Sequence, residues 1–203
     1  MKEYMSISHD GTSIYEEKKS EFLGYAYPVE TEEDAIAHIQ TIKKKHPDAR
    51  HHVYAYALRD QNKSRYTDDG EPSGTAGMPV LDCIKKGGLT DCVVIVVRYF
   101  GGTLLGTGGL VRAYTTAAAD AIKDGEVVTY RTMQNASISL SYPDYQKILP
   151  LCAMLLIDQT DFGSDVNIVF HLPEEEIDGI FHQITEITSG RAILEKGEIF
   201  FGK

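Results

Sequence analysis

Hydrophobic positions along the chain follow two periods. Between residues 31 and 45, Ala35, Ile36, Ile39 and Ile42 recur at helical spacing on one face, which predicts an amphipathic helix. Thr31 and Asp34 fit a capping box, Glu32, Glu33 and Asp34 suit the positive end of the dipole, Lys43, Lys44 and Lys45 suit the negative end, and Pro47 stops the helix. Residues 22–29, rich in aromatics, predict a strand before it. Residues 52–59 predict one after it, with Val53, Ala55 and Ala57 alternating against Tyr54, Tyr56 and Leu58. The β-branched run 92–100 predicts a central strand covered on both faces. Residues 75–86 and 108–123 predict helices, the first with Pro79 near its start and Gly87 and Gly88 at its end, the second closed by Gly125.

Past residue 130 the pattern changes. Strand 136–141, a helix from Pro143, strands 157–162 and 166–172 around a Gly163-Ser164-Asp165 turn, helix 173–188 and strand 191–200 follow in the order βαββαβ. That order predicts a ferredoxin-like unit, two helices on one face of a four-stranded antiparallel sheet, with Pro150 kinking or splitting its first helix. The chain is therefore divided into residues 1–133 and 134–203, an α/β (α+β) protein of two domains.

Composition narrows the function classes. With 203 residues, 42% hydrophobic, 25% charged and three cysteines, the chain is neither disordered nor a disulfide scaffold. A formal charge of −10 argues against coating nucleic acid through net charge, so any polyanion site is a local patch. The acidic excess lies mainly beyond residue 133, with eleven Asp and Glu against four Lys and Arg, which leaves the first domain freer to meet an anion. The longest apolar run, residues 92–97, is too short to span a bilayer, and the opening residues read as no secretory signal, so the expectation is a cytoplasmic protein with no membrane association. Cys83, Cys92 and Cys152 sit in apolar runs without zinc or redox spacing and read as buried free thiols. Oligomeric state is not legible.

Two segments carry candidate chemistry. In residues 97–114 a core strand, a loop containing Gly101, Gly102, Thr103, Gly106, Gly108 and Gly109, and a helix succeed one another, so unpaired backbone N–H groups converge at the helix start. Arg98 and Arg112 can add bidentate phosphate contacts, and Tyr99 or Tyr114 a stacking face. The loop has neither a P-loop ending nor a strict G-x-G-x-x-G; the glycines equally suit positive φ and close helix-to-sheet approach. In residues 66–77, Asp68, Asp69 and Glu71 can converge on a divalent cation or act in acid/base chemistry. The simpler reading has them capping backbone N–H groups and pairing with Arg98 or Arg112, with His51 or His52 bonded to the acidic loop. No nucleophile elbow or triad is recognisable, and no catalytic residue, metal or cofactor is assigned.

At these segments the sequence resembles the IMPACT family, in particular its bacterial YigZ/YvyE-type members. The resemblance is carried by residues 20–24 (SEFLG), His52 with Ala55-Tyr56, residues 68–77 (DDGEPSGTAG) with Pro79, residues 97–102 (VRYFGG) and residues 105–114 (LGTGGLVRAY). Thr188-Ser189-Gly190-Arg191 resembles the small C-terminal domain of the bacterial members. The resemblance implies an N-terminal two-layer α/β domain similar to the second domain of a small-subunit ribosomal protein, and a C-terminal ferredoxin-like domain similar to the last domain of elongation factor G. Eukaryotic members are regulators of translation that carry a different N-terminal domain, one not found in this sequence. The expected function is a non-enzymatic protein that binds RNA or a ribosome-associated component and regulates translation. The alternatives are an enzyme acting on a phosphorylated small molecule or nucleotide through the glycine loop, and a protein-interaction module with a protein partner.

Overall fold

The computed structural model describes residues 3–203. Among them, ten strands and five α-helices form two sheets and divide into two compact units, Tyr4–Thr129 and Glu3 with Tyr130–Lys203.

The first unit contains β1 (Glu3–Ile7, shared at its first residue with the second unit), β2 (Gly11–Glu17), β3 (Ser20–Pro28), α1 (Glu32–Lys45), β4 (His51–Leu58), β5 (Lys63–Thr67), α2 (Gly77–Lys86), β6 (Cys92–Tyr99) and α3 (Thr107–Asp124). Its sheet has the order β2-β3-β6-β4-β5, so β6 is central, as its unbroken apolar run requires. Successive β6 side chains serve opposite faces. Val93, Ile95 and Val97 pack with Ala35, Ile39 and Ile42 of α1, whereas Val94 and Val96 pack with α2 and α3. Helices thus pack on both faces of β6, because β6 is apolar on both sides. The mixed α/β class holds. The Thr31 capping box is formed, with Asp34 N–H donating to Thr31 Oγ1 at 3.1 Å. Strands β2 and β5 were not anticipated: neither carries an apolar stripe, and each is held by edge pairing, β2 also by Ser13 Oγ donating to the Ala117 carbonyl.

The second unit is built on β7 (Val127–Leu140), α4 (Tyr142–Cys152), β8 (Leu156–Phe162), β9 (Val166–Pro173), α5 (Ile177–Thr188) and β10 (Ile193–Gly202). Four of the five strands of its sheet run antiparallel in the order β10-β7-β9-β8, the ferredoxin-like arrangement, with Ile148, Ile177 and Ile184 of the helices packed on Ile138, Ile168 and Phe170. Pro150 does not split α4; the helix ends two residues beyond it. Helix α5 starts at Ile177, four residues later than the sequence pattern suggests. The Thr188–Arg191 segment closes this unit. Ser189 and Gly190 take positive φ to end α5, and Arg191 then forks onto Asp144 of α4 at 2.8 and 2.7 Å.

Cys92 is buried, while Cys83 and Cys152 are only half-buried; all three are free thiols. No described helix is long and apolar enough to cross a membrane.

Candidate functional site

The two motif-bearing segments meet at one end of the first unit's sheet, on the face of α2 and α3. Arg98, next to last in β6, points to this face. It is 4% exposed, and its Nη1 donates to Glu71 Oε1 at 2.6 Å while Nη2 donates to Ser20 Oγ at 3.3 Å. The guanidinium lies over Phe22 and Phe100, 5.3 and 5.4 Å from their centroids. Its Nε is buried and has no hydrogen-bond partner among the described residues. Tyr114, fully buried in α3, donates to the same Glu71 oxygen at 2.8 Å; burial first and the Glu71 charge second push its hydroxyl pKa well above the ordinary tyrosine value.

Arg98 therefore stands as the pairing alternative read from the sequence has it, bound to a loop carboxylate, and not as the phosphate contact that was the other expectation. An unpaired guanidinium cannot be kept in an apolar interior, so Arg98 is neutralised by Glu71 rather than presented to an outside phosphate, and Tyr114 is a buried donor, not a stacking face. Tyr99 follows Arg98 in the strand and so lies on the opposite face, where its hydroxyl meets His46 Nδ1 at 3.0 Å. It is not brought together with the glycine loop.

The acidic loop is bound into its own backbone. Asp68 Oδ1 accepts from Ala76 N and Gly77 N, and Oδ2 from Gly74 N, so it organises the start of α2. Asp69 ties the loop to β4: its carboxylate accepts from His52 N at 2.6 Å and its carbonyl meets His51 Nδ1 at 2.7 Å. Because a carbonyl only accepts, His51 Nδ1 carries the proton, and Nε2 is turned toward Glu71 Oε1, 3.7 Å away. His52 Nε2 likewise donates to the His46 carbonyl. No group of three or more His, Cys, Asp or Glu among the described residues is arranged to hold a metal ion.

In the glycine loop, Gly101 N donates to Ser20 Oγ, and a Cβ at Gly101 would lie 2.0 Å from the Lys19 carbonyl, so this position requires glycine for close backbone approach. Gly106 caps α3 at φ 74° and ψ 165°, a conformation essentially restricted to glycine. Gly102 and Thr103 are exposed at the loop, while Gly108 and Gly109 lie in the first turn of α3. No side chain caps that helix, so the N–H groups of Thr107, Gly108 and Gly109 have no intrahelical partner. Arg112, one turn on, is exposed and has no ion-pair partner among the described residues.

These parts line a half-open pocket of about 470 Å³. Its lining places Arg50, His51, Glu71 and Arg98 opposite the start of α3 at Gly106 and Thr107, with Phe100, Leu105 and Leu110 supplying apolar wall. Glu71 is the one carboxylate in the lining, and Arg98 and Tyr114 hold it. Arg50 was missed by sequence reasoning. It stands just before β4, in which His51 pairs across from Arg98, and its guanidinium lies 5.8 Å from the Phe100 ring. Only strand register brings it here.

Comparisons with known proteins agree across both units. Residues 18–122 match the Impact N-terminal domain, and residues 138–191 match DUF1949, a domain of unknown function. An IMPACT family member of Haemophilus influenzae is 35% identical over 92% of this chain and 94% of its own length. YvyE of Bacillus subtilis is 33% identical over 98% and 93%, and YigZ of Escherichia coli 32% over 88% and 90%. A solved structure described as a hypothetical protein superposes with a TM-score of 0.63 at 29% identity, covering 98% of both chains. With its first unit matched to the Impact N-terminal domain and relatives of like length matching almost end to end, the chain belongs to the IMPACT family.

Proposed function

We propose that this chain is a non-enzymatic cytoplasmic protein that binds RNA, free or within a ribosomal component, through the cavity at the start of α3, and that it influences translation by doing so. One observation carries the reading. The uncapped N-terminus of an 18-residue helix opens on a cavity whose other charged groups are Arg50 and an internally neutralised Glu71–Arg98 pair. Such a site favours an anion: the helix end contributes partial positive charge and free N–H donors, Arg50 contributes a full charge, and no free carboxylate in the lining opposes them. Arg112 adds a second exposed guanidinium one turn along the helix. The family resemblance points the same way, since both implied relatives of its domains contact RNA.

Filter binding with RNA at increasing salt tests the proposal. Affinity should fall with a shallow slope, because only two or three phosphates are neutralised. Arg50→Ala and Arg112→Ala, both exposed, should each weaken binding while leaving the thermal unfolding transition in place. RNA affinity unchanged in both variants, or partners captured equally well after nuclease treatment, would overturn it in favour of a protein-binding surface.

A further inference from the structure

We infer that the strand this site takes presents an unpaired nucleotide, one base entering the cavity against Phe100 with its phosphate at the start of α3. The inference rests on the RNA-binding reading above and specifies the form of RNA. Two observations carry it.

The site is recessed. A cavity of about 470 Å³ falls in the range of small-ligand sites, roughly 300–1,000 Å³, and a base held in a duplex stack cannot reach into such a space. A duplex would present only its backbone to the rim, meeting Arg50 and the start of α3 but leaving the apolar wall unfilled.

The lining is divided in kind. Phe100, Leu104, Leu105, Pro72 and Leu110 are apolar, and Leu104 is 83% exposed beside them. Arg50 and the α3 N–H groups are cationic or donating. This division matches a ligand with a planar, weakly polar part joined to an anionic part, which is the make-up of one nucleotide. Phe100 is 40% exposed, which leaves ring surface for an unstacked base beside the Arg50 and Arg98 guanidiniums.

The experiment is fluorescence anisotropy with one labelled ten-nucleotide RNA, offered single-stranded and annealed as a blunt duplex. The single strand should bind at least about tenfold more tightly. Phe100→Ala should lower its affinity by about fivefold or more, the smaller end of a base-stacking contribution, with little effect on the duplex. Leu104→Ser, at a residue left almost wholly to solvent, provides a second variant free of folding cost and should weaken the single strand in the same sense. Equal affinity for the two forms, or single-strand affinity unchanged in Leu104→Ser and in a folded Phe100→Ala, overturns the inference and leaves RNA binding standing. Absence of binding to either form overturns the RNA reading itself.

Discussion

The Arg98 guanidinium and the Glu71 carboxylate form an ion pair with Nη1 and Oε1 2.6 Å apart, both side chains about 95% buried, in the wall of the candidate site. The pair joins the end of β6 to the acidic loop before α2, so the two sequence motifs of the chain are halves of a single structural device.

Breaking that pair from one side leaves the other charge stranded. Glu71→Ala should destabilise the first unit by about 3–5 kcal/mol in urea denaturation. Replacing both residues, as Glu71→Leu with Arg98→Met, should cost clearly less than Glu71→Ala alone, since the desolvated charges leave together. A double variant no more stable than the single one would show that the pair is not the source of the loss.

The loop glycines should divide by geometry. Gly101→Ala drives a methyl group onto the Lys19 carbonyl and should cost about 1–3 kcal/mol; Gly106→Ala carries a similar penalty, about 1–3 kcal/mol, for its φ of 74°. Gly108→Ala meets only the end of the Arg112 side chain, 3.6 Å away, and should be neutral within about 0.5 kcal/mol. Thermal midpoints of the three variants check the order.

Acid stability of the second unit should depend on Asp144. Hydrogen bonds from Arg191 and then Lys147 hold its carboxyl well below the usual carboxylate range. Because the folded value lies below the unfolded one, the stabilisation is fully present above about pH 4 and is lost as pH falls through the folded value. Arg191→Ala should therefore move the onset of acid unfolding of this unit to higher pH, read by circular dichroism across a pH series. An unmoved onset would remove Asp144 from the account.

Thiol reactivity should follow burial. Cys92, within the central strand, has its pKa pushed up to about 12, first by burial and then by the neighbouring Asp91 charge. Alkylation at about pH 8 followed by peptide mapping should leave Cys92 unmodified in the native protein and modify it after denaturation. Labelling of native Cys92 at the unfolded rate would contradict its place in the core.

Elements whose cause is local were legible in the residues themselves. The Thr31–Asp34 cap, the β6 run, the βαββαβ order of the last seventy residues and Asp68 as an organiser before α2 all follow from interactions within a few positions of one another. Strand β2 and edge strand β5 were not, since each is defined by its neighbour and carries no apolar stripe of its own. The misplaced start of α5 has a similar origin: Pro173 satisfies the pattern of a helix start but ends β9 instead.

The candidate site divides along the same line. Residue types alone determined that glycine, arginine and carboxylate would gather around the end of a core strand and the start of a helix, because backbone donors and φ preferences are properties of short segments. Which charges remain available was decided only by tertiary structure. The β4–β6 register sets His51 across from Arg98 and carries Arg50 to the cavity, while the fold buries Arg98 against Glu71 and turns Tyr99 to the far face. Charge is a property of a side chain, but whether it is neutralised inside or offered outside depends on what the chain brings within hydrogen-bonding reach of it.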